Sequence, residues 1–159
     1  NLRVLQNSEE LDHLLSTLKS EQIKLTEDYG KYTPLVIKIA PDLNSTQVIS
    51  IATLLIKHKI DGVIATNSTL SRSEVENLPN SEETGGLSGS PLTKISTNII
   101  RQLHAVLKGT VPIIGVGGIM CASDAQEKID AGASLIQIYT GLIYQGPELV
   151  RDAVKIFCK

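Results

Sequence analysis

The stretch P-I-I-G-V-G-G, residues 112–118, decides how the rest of the chain is interpreted. It is a short apolar run that stops at glycines, and a second run at 135–140, L-I-Q-I-Y-T, stops at hydroxylated residues. Glycines at the carboxyl end of a buried strand let a ligand approach the backbone closely. Two consecutive strand ends of this kind are typical of the phosphate site of a (β/α)8 barrel. We therefore predict a phosphate-binding corner here.

Outward from this stretch, apolar runs alternate with patterns that have helical spacing. Two further strands are predicted at 35–40 and 61–66. Helix starts are predicted at Asn7-x-x-Glu10, Asn44-x-x-Gln47, Ser90-Pro91, Ser123-x-x-Gln126 and Gly146-Pro147-Glu148. The stretch before Gly30 is predicted to be a turn, and residues 67–89 a long binding loop.

The predicted order is one helix followed by four βα units. Strands that are apolar on both faces and separated by helices indicate a parallel sheet covered by helices. Such a sheet can stay open and doubly wound, or it can close into a TIM barrel, which needs eight units and roughly 250 residues. The chain has 159 residues. We expect residues 1–159 to be the C-terminal half of one barrel domain.

Composition excludes several classes of function. The formal net charge of -2 gives no electrostatic basis for nucleic-acid binding. No apolar run approaches the roughly 18 residues that a membrane-spanning helix needs. Cys121 and Cys158 form no CxxC pair and are expected to be free thiols. The sequence has no spacing typical of metal ligands, and its three histidines fall in helical stretches.

Lys38 is the most informative charged residue. In V-I-K-I-A it shares a strand face with Val36 and Ala40, whereas the alternate residues are all aliphatic and suit the helix layer. We therefore expect Lys38 to point into the barrel. A buried ammonium needs an anionic partner or loses its proton. Three roles stay open: a structural ion pair, a contact to an anionic cofactor, and a Schiff-base amine.

Polar residues follow the second predicted strand. Asn67, in Thr66-Asn67-Ser68-Thr69, offers both donors and an acceptor to an amide-like ring, although such a sequence also closes strands as a simple turn. Residues 84–89, T-G-G-L-S-G, run into a helix start, where backbone amides bind anions, or they form a hinge. Asp42 also follows a strand, but a turn or cap role is expected for it.

At these residues the sequence resembles the dihydroorotate dehydrogenase family, in its membrane-linked, quinone-reducing class. The matching strings are N-L-R-x-L-Q at 1–6, V-I-K-I-A-P-D-L at 36–43, D-G-V-I-A-T-N-S-T at 61–69, E-T-G-G-L-S-G-S-P-L at 83–92, V-P-I-I-G-V-G-G-I at 111–119 and I-Q-I-Y-T at 136–140. Several strings in the right order are more specific than any one alone.

The resemblance implies an FMN-containing TIM barrel that oxidises dihydroorotate to orotate in pyrimidine synthesis and passes electrons to quinone. It implies that FMN is held by Lys38, Thr66, Gly89, Gly118, Tyr139 and Thr140. It also implies that Asn67 and Ser68 bind the orotate ring, although the family more often has Thr at the second position. A peripheral place on the cytoplasmic side of the inner membrane is implied for the whole protein, and a cytoplasmic one for this chain alone.

The family's general base, a serine, is expected upstream of Asn1, so no catalytic residue is assigned in this chain. The N-terminal helices through which this class meets membrane and quinone are also absent from the sequence. Two alternatives stay open: a Schiff-base aldolase-type barrel that uses Lys38, and a non-catalytic half-barrel that binds a phosphorylated ligand.

Overall fold

In a computed structural model of the chain, residues 8–157 are described. The first of the family-like strings (1–6), the proposed cap at Asn7 and Cys158 lie outside this range. Six helices and four strands follow one another: α1 (Ser8–Tyr29), β1 (Val36–Ile39), α2 (Ser45–Lys57), β2 (Gly62–Ala65), α3 (Thr93–Leu107), β3 (Ile113–Val116), α4 (Ala122–Asp130), β4 (Leu135–Gln137), α5 (Thr140–Gln145) and α6 (Glu148–Phe157). A 3₁₀ turn, Ser90–Leu92, leads into α3.

The four strands form one parallel sheet in the order β1-β2-β3-β4. Val36 is aligned with Gly62, Val63 with Ile113, and Ile114 with Leu135. Sequential parallel strands joined by helices are the repeating unit of an α/β barrel. The predicted helix followed by four βα units is confirmed, and the fold is that of a partial α/β barrel.

The main core lies between the sheet and helices α1–α3. Its fully buried members include Leu15, Leu55, Val63, Ile100 and Leu103. At roughly 25 cal/mol per Å² of apolar surface removed from water, each such side chain contributes about 1.5–3 kcal/mol. This packing holds the strands in register, so that their carboxyl ends meet at one edge of the sheet.

Asp61 ties the first helix to the first strand. Its carboxylate accepts hydrogen bonds from Leu35 N (2.8 Å), Tyr32 Oη (2.6 Å) and Gln22 Nε2 (3.1 Å). Burial by itself would raise the pKa of Asp61, but these hydrogen bonds and the charge of Lys19 hold it below the usual 3.8. The ionised carboxylate therefore stabilises the junction of α1 and β1.

Helix boundaries follow the predictions in some places and not in others. The Asn44–Gln47 capping box is present, with both reciprocal bonds at 2.9 Å. The turn predicted before Gly30 is wrong, because α1 continues to Tyr29 through residues that are good helix formers. The cap predicted at Ser123 is also wrong, because the N-cap is Cys121, two residues earlier, and α4 begins at Ala122.

The last helix buries only some of its apolar residues. Leu149 is buried, but Val150, Val154 and Phe157 are 40–50% exposed. Ala153 takes the inner position, where it packs with Ile119 and Ala125. A small residue there lets α6 approach α4 closely, and this rotates the larger side chains outward. Helix α5 was not predicted because its six residues carry no helical apolar pattern.

Candidate functional site

A cavity of about 320 Å³ opens at the carboxyl ends of the strands. Its lining contains all eight residues to which the sequence gives a binding role: Lys38, Thr66, Asn67, Ser68, Gly89, Gly118, Tyr139 and Thr140. These residues come from all four strand ends and from the long loop. The volume is in the range of pockets that bind small molecules.

Lys38 lies on β1, directly beside Ile64 of β2. Its neighbour Ile39 is 1% exposed in the helix-side core, so the alternation of faces places Lys38 on the cavity side as predicted. The expected burial of Lys38 is wrong, because the residue is exposed. No ion pair forms between Lys38 and another residue in 8–157.

The end of β2 joins its two neighbouring strands. Thr66 N donates to Val116 O (2.9 Å), and Asn67 N donates to Ile39 O (2.7 Å). Thr66 is only 2% exposed, and the peptide bond that precedes it is cis. The Asn67 side-chain oxygen accepts from Ser68 N at 3.0 Å. Backbone bonds to both sides therefore fix the segment 66–68 against the cavity.

The long loop 67–89 closes over this segment. It contains no helix or strand, as predicted, but Thr69 and Leu87 pair in an isolated antiparallel bridge. A Cβ atom on Gly86 would lie 1.9 Å from Ser68 Oγ, so glycine is needed for the loop to reach Ser68. Asp42 anchors the near end, accepting from Thr69 Oγ1 and from Leu70 N (3.0 Å). Asp42 thus anchors this loop, a contact that the expected turn or cap role does not describe.

Arg72 organises the loop from inside. Its guanidinium donates to the carbonyls of six loop residues: Thr69, Leu70, Ser71, Ser81, Glu83 and Gly85. The distances run from 2.9 to 3.4 Å. A planar fork with five N–H donors can satisfy several carbonyls at once. Arg72 thus supplies hydrogen bonds to loop carbonyls that have no partner in a regular strand or helix.

Glycines and hydroxyl groups meet where β3 and β4 end. Gly118 has a φ of +71°, and a Cβ atom there would lie 2.3 Å from Thr93 N. Thr140 Oγ1 is 3.0 Å from Ser88 Oγ, and Thr140 also approaches Gly89, where a Cβ atom would lie 3.3 Å from Thr140 Cγ2. The predicted corner is therefore built from two strand ends and the start of α3.

Tyr139 also lines the cavity, at the end of β4. It precedes α5, and it is 78% exposed. Two polar residues of the lining, Ser88 and Gln137, were not predicted. Gln137 had a usable signal, because it is the one polar residue inside the apolar run of β4. Ser88 had none beyond its position in a glycine-rich loop.

Behind the corner, Lys128 on α4 is fully buried. Its ammonium donates to Thr93 O (2.6 Å), Ser96 Oγ (2.8 Å) and Thr97 Oγ1 (2.5 Å). Burial lowers its pKa from 10.5 to about 8, against the opposing attraction of Asp124 and Glu127. The burial of Lys128 was not predictable from the sequence, because Lys128 lies in a short polar helical stretch of the kind that usually faces solvent.

Other chemistry is not assembled in residues 8–157. No group of three or more His, Cys, Asp or Glu side chains lies close enough together there to hold a metal ion. Over the same range, no helix has the length and hydropathy that a membrane crossing requires. His58 caps α2 and pairs with Asp12 at 2.5 Å, so it has the helix-terminal role expected for it. Cys121 is a free, exposed thiol.

Solved structures share this architecture. A DHODH from Eimeria tenella in complex with ferulenol superimposes with a TM-score of 0.91 at 36% identity, over 98% of this chain and 45% of that one. The ligand-free type from the same organism gives a TM-score of 0.86 at 36% identity, over 97% and 46%. This likeness covers the sheet, the helices and the order of the strands.

Sequence comparison agrees. The chain is 59% identical to the dihydroorotate dehydrogenase (quinone) of Nitrosospira multiformis over 158 residues, which are 99% of the chain and 45% of that relative. It is 58% identical to the one of Shewanella amazonensis, over 96% of the chain and 45% of the relative. The chain thus spans about half the length of these relatives. A family model described as dihydroorotate dehydrogenase matches residues 1–156, and the chain therefore belongs to the dihydroorotate dehydrogenase family.

Proposed function

We propose that this chain supplies part of the FMN site and part of the substrate site of a dihydroorotate dehydrogenase that passes electrons to quinone. The observation that carries the proposal is the convergence on one cavity of the eight residues to which the family resemblance gives a binding role. We further propose that the chain is the C-terminal half of the barrel. The general base, a serine, would then come from residues upstream of Asn1.

The donor set in the cavity fits a phosphate-tailed flavin. A glycine turn at Gly118 and the hydroxyl of Thr140 stand on the β3–β4 side, where small residues and hydroxyl groups suit a phosphate. Lys38 and Asn67 stand on the β1–β2 side. The apolar Val116 lies on β3, the strand next to β2, and also lines the cavity. A flat ring with an anionic tail matches this order of groups across the sheet.

When bound, FMN supplies the hydride acceptor for oxidation of the substrate. The role of Lys38 is to place a positive charge beside the ring, where it favours an increase of negative charge. Asn67 and Ser68 would hold the substrate ring by hydrogen bonds from an amide and a hydroxyl group. The Gly86 contact keeps Ser68 in position, because any side chain at residue 86 would displace it.

The proposal extends to partners and location. Dihydroorotate and orotate are the substrate and product, quinone is the electron acceptor, and nucleic acid is not a partner. The whole protein would meet the inner membrane peripherally from the cytoplasmic side. Its N-terminal part, which lies outside this sequence, would make that contact. These assignments rest on membership of the family and on the names of the quinone-class relatives.

Direct titration with FMN tests the proposal. The 159-residue chain should quench FMN fluorescence on binding, and Lys38→Ala should weaken binding about 10- to 100-fold, the range for losing a charged contact. Lys155→Ala, on the exposed face of α6, is the matched control and should bind like the unchanged chain. Because the chain supplies only part of the site, the same titration is run on the full-length protein that contains it, and a folded full-length protein that does not bind FMN would reject the proposal.

The Schiff-base alternative keeps one observation in its favour, since the Lys38 amine faces the cavity without an ion-pair partner in residues 8–157. Borohydride reduction in the presence of a carbonyl substrate separates the two functions. An aldolase-type site would yield a covalent adduct on Lys38 that mass spectrometry detects. A flavin site yields no adduct, and it binds FMN.

A further inference from the structure

The buried Lys128 cluster carries an inference that rests on the proposed function and deepens it. We propose that Lys128 is a positioning residue for the flavin phosphate. Acting through Ser96 and Thr93, it fixes the turn at residues 117–119 so that two backbone N–H groups face the cavity. Lys128 itself is 0% exposed, so it does not reach the ligand.

The first step concerns the Thr93 carbonyl. A carbonyl oxygen has two lone pairs, and here Lys128 Nζ (2.6 Å) and Thr97 Oγ1 (2.7 Å) donate to them. Ser96 Oγ is also near this carbonyl, but at 3.4 Å. Because the two shorter bonds use the lone pairs, the Ser96 hydroxyl is left to donate elsewhere.

The second step concerns the Ser96 hydroxyl. It accepts from Lys128 at 2.8 Å, and a hydroxyl has only one hydrogen to donate. That hydrogen goes to Gly117 O at 2.9 Å. In parallel, Thr93 Oγ1 has two acceptors in reach, Gly118 O at 2.6 Å and Ser90 O at 2.9 Å, and the shorter bond is the one to Gly118 O. Both glycine carbonyls of the turn are therefore held toward α3.

The third step is the geometry of the peptide bond. In a trans peptide the N–H points opposite to the carbonyl of the preceding residue. The bonds after Gly117 and Gly118 are trans, so the N–H groups of Gly118 and Ile119 point away from α3. Both residues line the cavity, and neither N–H donates to another residue of the range 8–157. They are two free donors presented to an anion.

The Lys128 ammonium has no carboxylate contact within residues 8–157, so its role differs from that of an ordinary buried ion pair. All three acceptors of Lys128 are neutral oxygens, and Asp124 spends one carboxylate oxygen on Met120 N and Cys121 N (2.8 and 3.0 Å). The positive charge behind the turn therefore remains available to favour an anion in the cavity. A hydrophobic residue of similar volume would fill the space without these effects.

A pair of flavins tests this role, because riboflavin has the ring of FMN but no phosphate. Lys128→Met should weaken FMN binding about 10- to 100-fold and change riboflavin binding less than about two-fold, as expected for misplaced hydrogen bonds to a charged group. A merely structural effect would lower both affinities equally. Lys155→Met is the control and should keep the FMN preference of the unchanged chain.

Ser96→Ala is the second variant, and it decides the matter where Lys128→Met does not fold, as judged by circular dichroism. It breaks the link to Gly117 and keeps two of the three bonds of Lys128. A reduced ratio of FMN to riboflavin affinity supports the inference. An unchanged ratio in the folded variants overturns it, with the flavin site intact. These titrations use the full-length protein that contains this chain, because the chain supplies only part of the site. An unchanged full-length protein that binds neither flavin rejects the proposed function, and the role of Lys128 with it.

Discussion

Alanine at Gly118 should destabilise the chain far more than alanine at Gly30. Both glycines have left-handed backbones, with φ of +71° and +65°, so both substitutions incur about 1–2 kcal/mol of backbone strain. Nothing lies within 4 Å of a Cβ atom at Gly30. At Gly118 the added atom would lie 2.3 Å from Thr93 N and 2.5 Å from Thr93 Cα. Both distances are shorter than the van der Waals contact distance of the two atoms.

The contact at Gly118 cannot be relieved by turning a flexible side chain, because two of the three nearest atoms belong to the backbone of Thr93. Overpacking of this kind costs about 1–3 kcal/mol beyond the backbone strain. We therefore expect Gly118→Ala to lower the free energy of unfolding by about 2–5 kcal/mol, and Gly30→Ala by about 1–2 kcal/mol.

Urea unfolding followed by far-ultraviolet circular dichroism measures both values through the midpoint and slope of the transition. Gly30→Ala is the matched control, because it shares the backbone strain and lacks the contact. If the two variants lose the same free energy within about 0.5 kcal/mol, the close approach of the turn to α3 is refuted. The turn at Gly118 would then not be packed tightly against Thr93.

Three further outcomes are expected. Asp61→Asn should lower the free energy of unfolding by about 1–3 kcal/mol at pH 7, and the difference between the variant and the unchanged chain should shrink below pH 4. The lowered pKa of Asp61 makes the contribution of its carboxylate fully present above pH 3.8 and lost in acid. Gly86→Ala should weaken substrate-analogue binding, measured by calorimetry with orotate on the FMN-loaded full-length protein, because a Cβ atom would displace Ser68; Glu82→Ala, at an exposed position of the same loop, is its control. Between pH 8 and 10.5 the free energy of unfolding of the unchanged chain should rise by up to about 3 kcal/mol relative to that of Lys128→Met, as measured in urea. The reason is that Lys128 loses its proton at about pH 8 in the folded state and only at about pH 10.5 in the unfolded state. A flat difference would contradict the burial of a charged Lys128.

The sequence predicted the features that depend on short-range patterns. Apolar runs located the four strands to within one to three residues at each end, and the cap pattern at Asn44 located α2. The binding roles of the cavity residues came from the family resemblance. That residues just after each strand would meet was predictable, because parallel strands bring their carboxyl ends to the same edge. The identity of a strand face, as at Lys38, followed from alternation alone.

What could not be predicted depends on contacts across the fold. The outward rotation of α6 follows from how closely Ala153 approaches its neighbours, and no pattern within the helix reports that distance. The burial of Lys128 depends on three oxygens of α3, which lie more than thirty positions earlier in the chain. The exposure of Lys38 depends on the width of the cavity in front of it.

The way Arg72 gathers its six carbonyls has a consequence for natural variation. Every contact is to main-chain oxygen, and main-chain oxygen is present whatever side chain a mutation installs. Positions such as 74, 76 and 82 are therefore free to drift among amino acids, with the path of the segment unchanged. Arg72 therefore carries, in one residue, a constraint that a helix would distribute over many residues.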